Sequence, residues 1–114
     1  MSNYQITMTR GDTLSFGLEF EGLNGELDTA CFTVKEHADD RILFQRKLGQ
    51  GITKNNSTQY IVRIAPENTE NIEPKQYHFD LEITVGDDVF TIMKGILDIE
   101  SDVTFKEDRS WMKL

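Results

Sequence analysis

The chain has 114 residues, 38% of them hydrophobic, a net charge of −8 and a single cysteine. That length holds one domain with a core of its own, and the acidity argues against a general nucleic-acid binder or a protein for anionic membrane surfaces, which both reward clustered Lys and Arg. One cysteine, Cys31, excludes an internal disulfide and fits a reducing compartment. No apolar run approaches the ~20 residues of a membrane helix, and the first residues do not read as a secretory signal.

In chain order, Tyr4–Met8 alternates apolar with polar residues and predicts a first strand. Arg10-Gly11-Asp12 follows as a turn in which Gly11 takes positive φ. Thr13 to Phe20 predicts the second strand, with Leu14, Phe16, Leu18 and Phe20 inward. Asn24-Gly25 marks a turn. Leu27 to Glu36 predicts the third strand, with Ala30, Phe32 and Val34 on one face and Cys31, Thr33 and Lys35 on the other. A polar turn from His37 to Arg41 leads to a shorter fourth strand, Ile42 to Leu48. Residues 49–57 read as an exposed connection. Thr58 to Ala65 predicts the fifth strand, with Tyr60, Val62 and Ile64 inward.

The next stretch is the most informative. Pro66 and Pro74 fix φ and restrict the residues before them. Between them, residues 67–72 predict one short helical turn, capped by Asn68 or Thr69 and plugged into the core by Ile72. Ten residues of strict alternation follow, with Tyr77, Phe79, Leu81, Ile83 and Val85 inward. Tyr77 stands where a tyrosine corner bonds backward to loop backbone. Gly86-Asp87-Asp88 turns the chain into a last strand, Val89 to Glu100. There Phe90 and Ile92 keep one parity while Leu97 and Ile99 keep the other, which predicts a β-bulge at Lys94-Gly95.

About seven short strands with one brief helical turn predict an all-β, antiparallel, immunoglobulin-like sandwich over residues 1–104; a six- or seven-stranded barrel is its structural competitor. Residues 105–114 form a C-terminal tail whose Phe105, Trp111, Met112 and Leu114 are costly to expose. They either fold back on the domain or dock on a neighbouring subunit.

Chemistry-bearing motifs are sparse. Arg10-Gly11-Asp12 is the triplet that integrins read, but a hairpin turn suffices to explain it. His37, His78 and Cys31 lack close metal-ligand spacing. Asp87, Asp88, Asp98, Glu100 and Asp102 offer hard oxygens that would suit calcium if they gathered at one end, but without an ordered loop spacing. No Gly-x-Ser-x-Gly elbow supports a hydrolase, and nothing selects one pair of carboxylates for sugar hydrolysis. No cofactor, metal or catalytic residue is expected.

Four segments, in order, resemble the N-terminal domain family of siphophage baseplate upper proteins and related small prophage proteins. They are Arg10 to Phe16, Phe32 to Lys35, Ile64 to Pro74 running into Tyr77–Leu81, and Thr91 to Gly95 with Leu97–Ile99 and Asp102–Thr104. Lys75 and Gln76 depart from it, where such sequences carry a glycine after the second proline, as does Asn68 in place of an aspartate. The resemblance implies a sandwich that works without catalysis as an assembly module of a phage tail or baseplate. Its partners would be tail proteins or further copies of itself, in the virion or in the bacterial cytoplasm during assembly. A carbohydrate-binding sandwich is the alternative, and it requires exposed aromatics such as Tyr4, Phe105 or Trp111.

Overall fold

A computed structural model describes residues 3–22, 25–37 and 41–102. The predicted turn at Asn24 and the tail residues Phe105, Trp111, Met112 and Leu114 lie outside the described residues. The strands are β1 (Asn3–Thr9), β2 (Leu14–Glu19), β3 (Thr29–Lys35), β4 (Ile42–Leu48), β5 (Gly51–Lys54), β6 (Gln59–Ile64), β7 (Gln76–Val85) and β8 (Asp88–Glu100). Among the described residues one helix, α1 (Pro66–Thr69), joins β6 to β7.

The strands form one hydrogen-bonded series, β1-β8-β7-β3-β4-β5-β6-β2. β2 and β3 lie four steps apart in it, roughly 19 Å if the sheet were flat. The rings of Phe16 on β2 and Phe32 on β3 nevertheless meet at 5.7 Å. The series therefore folds over at the short β4–β5 junction, where only Lys47↔Gly51 and Leu48↔Ile52 pair. The result is a sandwich, with β1-β8-β7-β3-β4 facing β5-β6-β2. Among the described residues no ladder joins β1 to β2, so the barrel does not close.

The core follows the sequence periodicity. Phe32, Val34, Ile52, Val62, Ile64, Leu81 and Leu97 are fully buried, and the alternation of β7 places Tyr77, Phe79, Leu81 and Ile83 inward without exception. Phe32 also packs on Phe79, with centroids 5.2 Å apart. Leu14, Phe16, Leu18 and Phe20 are half-buried against this core.

Several expectations need correction. The sheet is mixed: β1 runs parallel to β8, and β4 parallel to β5. Among the described residues it has eight strands, because the expected connection at 49–57 contains β5, whose Ile52 is wholly buried. Two tertiary neighbours, β4 and β6, hold this four-residue strand where its own sequence is too short to signal one. The bulge lies nearer the hairpin than Lys94-Gly95. Register passes from Glu82↔Thr91 to Leu81↔Met93, leaving Ile92 as the extra residue. That insertion returns Leu97 and Ile99 to the core, as the parity break required.

Gly95 has a different task, for it faces Phe79 on one side and Tyr4 of β1 on the other. A Cβ there would fall inside the Tyr4 carbonyl, so glycine is what lets β1 close on β8. A second bulge, between Val34 and Lys35, skips Leu43 of β4.

The inter-layer crossing is pinned from several directions. Pro66 opens α1, and the Asn68 side chain accepts the N–H of Ala65 at 2.7 Å, closing the first turn. The N-cap position is thus Ala65, and of the two expected capping residues Asn68 closes the turn from the third helical position while Thr69 does not. Thr69 is wholly buried, and its hydroxyl accepts the N–H of Gly11 at 2.8 Å, tying the crossing to the β1–β2 turn. Ile72 packs half-buried against the core, and Pro74, also half-buried, precedes β7. The Tyr77 hydroxyl donates to the carbonyl of Glu73, the backward bond of a tyrosine corner.

Two substitutions test this frame. Tyr77→Phe should lose about 1 kcal/mol of stability, read by urea denaturation at neutral pH; an unchanged midpoint would mean that the hydroxyl does not brace the crossing. Burial raises the Tyr77 phenol above its ordinary 10.0, so the folded state holds that proton more tightly than the unfolded one. That stability is complete below the unfolded value and is lost as pH rises through the folded one, an alkaline loss that the phenylalanine variant should lack. Gly95→Ala should cost about 1–3 kcal/mol through the forced separation of β1 from β8; wild-type stability would refute the close approach.

Candidate interaction surface

Because β7 and its neighbours bury alternate residues, the other half of each strand forms the outer face of the larger layer. Two cross-strand rows define it. Thr33, Asp80 and Lys94 lie in one, and Lys35, His78 and Ile96 in the next. They line a shallow depression of about 400 Å3. It mixes two cations, one carboxylate, an imidazole and an aliphatic side chain on rigid strands. Such a surface suits the polar, mixed-charge rim of a protein contact. Beside it, Gln45 donates to the Thr33 hydroxyl at 3.0 Å and to Cys31 Sγ at 3.3 Å, which fixes Cys31 among polar neighbours on this face.

At one end of the same layer the β7–β8 hairpin stands clear of β1, which pairs with β8 only from Lys94 to Glu100. Val89 and Phe90 are 59% and 49% exposed there. Consecutive strand residues face opposite sides, so both faces of the hairpin tip are apolar. Sequence reasoning took Phe90 as an inward residue. It does keep the inward parity, opposite Ile83, but it lies beyond the edge of the opposing layer's cover. The signal was present as two adjacent apolar residues beside a two-residue turn.

The remaining candidates resolve as follows. Arg10 does not present a displayed triplet. Its guanidinium pairs with Asp102 at 2.8 Å and its Nη1 donates to the carbonyl of Ile72 at 3.5 Å. Gly11 has φ 80°, and the turn closes by the Asp12 N–H donating to the Thr9 carbonyl at 3.1 Å. His78 is exposed on the outer face of β7, and His37 is exposed beyond β3. Among the described residues no three His, Cys, Asp or Glu side chains gather as a metal site. The acidic residues cannot converge at one end, because Asp87 and Asp88 sit at the hairpin tip and Asp102 beyond the far end of the 13-residue β8. That separation is roughly 40 Å of extended chain. Lys75 bonds Glu36 on the surface. This holds the Glu36 carboxyl below its ordinary range and raises the Lys75 ammonium, but an ion pair in open water adds little stability.

No protein-family model matches this chain. No curated protein sequence matches it either. Among solved structures, murine CRIg is similar with a TM-score of 0.50 at 10% identity, over 86% of this chain and 92% of that one. The ZIG-8–RIG-5 IG1–IG1 heterodimer gives 0.47 at 11% identity, over 86% and 82%. The extracellular domain of the voltage-gated sodium channel β4 subunit, from parallel homodimer structures with a role in cell–cell adhesion, gives 0.42 at 12%, over 89% and 93%. The first likeness bears on the fold, and the two lower scores add nothing to it. Together with the two-layer packing and the tyrosine corner, it establishes this chain as an immunoglobulin-like β-sandwich.

Proposed function

We propose that this chain is a non-enzymatic structural module of a phage or prophage tail or baseplate, acting through protein–protein contact. The observation that carries the contact reading is the hairpin tip, where Val89 and Phe90 are exposed on its two faces at one end of the layer that bears the mixed-charge outer face. Large apolar residues rimmed by polar ones mark association surfaces. The tail or baseplate setting rests on the sequence segments Arg10–Phe16, Phe32–Lys35, Ile64–Pro74 with Tyr77–Leu81, and Thr91–Gly95 with Leu97–Ile99 and Asp102–Thr104. The partners are tail proteins or further copies of this chain, met in the cytoplasm during assembly and kept in the virion.

One observation favours a second reading. Tyr4 and Phe90 are both exposed aromatics, at 44% and 49%, and both keep the inward parity along the β1–β8 side. A carbohydrate-binding sandwich would use such rings as stacking platforms.

The experiment is incorporation into phage particles. Wild-type chain should be detected in purified tails, and the double variant Val89→Asp, Phe90→Asp should fold normally yet drop out of them at least about tenfold. Absence of the wild-type chain from tails, or undiminished incorporation of the variant, would contradict the reading. A glycan array that binds wild type and loses binding on Tyr4→Ala would favour the second one.

A further inference from the structure

Among the described residues, β2 has a hydrogen-bonded neighbour, β6, on one side only. Its other edge therefore presents main-chain donors and acceptors outward. Natural edge strands are usually blunted by a lysine, a proline, a bulge or a covering segment. β2 has no lysine or proline, its register with β6 runs unbroken from Leu14↔Ile64 to Glu19↔Gln59, and Glu19 is its single charge.

Gly17 stands near the middle of this edge. Its own fold does not call for glycine: φ is not positive, and a Cβ would meet nothing within 4 Å. Glycine inside a strand weakens it, and recurs where another backbone comes close. The missing side chain leaves a notch over its cross-strand partner Ile61, which is 37% exposed. An open depression of about 460 Å3 lies over β2 and β6, with Gly17 and Ile61 in its lining.

We propose that this edge pairs with β2 of a second copy, antiparallel, about a two-fold axis through Gly17. In that register Gly17 faces the partner's Gly17, Phe16 faces the partner's Leu18, and Leu14 faces the partner's Phe20. Ser15 meets the partner's Glu19 on the other face. Apolar residues thus oppose apolar ones, and no like charges meet, which matters in a chain of net charge −8. A slip of one residue would set Phe16 against Gly17 and mismatch the faces. The two-fold contact is closed, so the exposed edges consume each other and leave nothing to propagate. The dimer is independent of the hairpin contact, because β2 lies in the other layer.

Sedimentation equilibrium of the full chain tests it. Wild type should reach twice 13.1 kDa. Gly17→Lys has room to fold and sets two ammonium groups face to face on the axis. It should keep the strand circular-dichroism spectrum and weaken association at least about 100-fold. A chain ending at Asp102 should dimerise like wild type. Wild type that stays monomeric up to about 1 mM, or a Gly17→Lys chain that dimerises undiminished, would overturn the proposal. So would loss of the dimer on removing residues 103–114, since the tail would then carry the association. Each of these results is independent of particle incorporation, so the two readings fail separately.

Discussion

Everything in this molecule depends on the ring of Phe32, held between Phe16 of the opposite layer at 5.7 Å and Phe79 of its own at 5.2 Å. Antibody domains join their layers with a disulfide between the second and sixth strands of the motif, packed on a buried tryptophan, and place the second cysteine two residues after the corner tyrosine. Here the residue two past Tyr77 is Phe79, and the chain's single cysteine, Cys31, points to the outer face beside Thr33 and Gln45. Three phenylalanines take the place of the covalent staple. Aromatic pairs of this geometry add about 0.5–1.5 kcal/mol each beyond the area they bury, and they do so in a reducing compartment as well as an oxidising one.

Around that contact the ends of the sandwich are tied by short polar links. Thr69 reaches Gly11, Arg10 reaches Asp102, and Tyr77 reaches Glu73, so the crossing between layers is fixed to the β1–β2 turn and to the end of β8. Gly95 then lets β1 lie close along β8. With the core and the crossing secured in this way, the outer face of β3, β7 and β8, the hairpin tip and the β2 edge are left without structural duties. A rigid scaffold with uncommitted surfaces is what a contact module requires, and it is why the candidate sites all lie on strands.

Much of this was legible in the residues. The ten-residue alternation from Gln76 to Val85 and that of Leu14 to Phe20 fixed which side chains point inward, because a half-buried strand leaves a period of two. The corner at Tyr77 was legible from the two prolines and the strand that follows. Strand direction was not, since periodicity is the same in parallel and antiparallel pairs, so the β1–β8 and β4–β5 pairings were missed. β5 was missed because Gly51-Ile52-Thr53-Lys54 is too short to show a period, and its burial is decided by β4 and β6. The parity break in β8 was read correctly as a bulge, but Gly95 drew it to the wrong place; glycine there serves the approach of Tyr4. The exposure of Phe90 depended on how far the opposing layer reaches over β8, which no local pattern records.

The most direct test is the equilibrium stability of Phe32→Ala against Phe32→Leu in urea. If the phenylalanine contact holds the two layers together, the alanine variant should lose about 3–5 kcal/mol and its near-ultraviolet aromatic signal, while the leucine variant keeps the fold at a smaller cost. A loss below about 1 kcal/mol for alanine would contradict the account, because the layers would then be joined by something other than this ring.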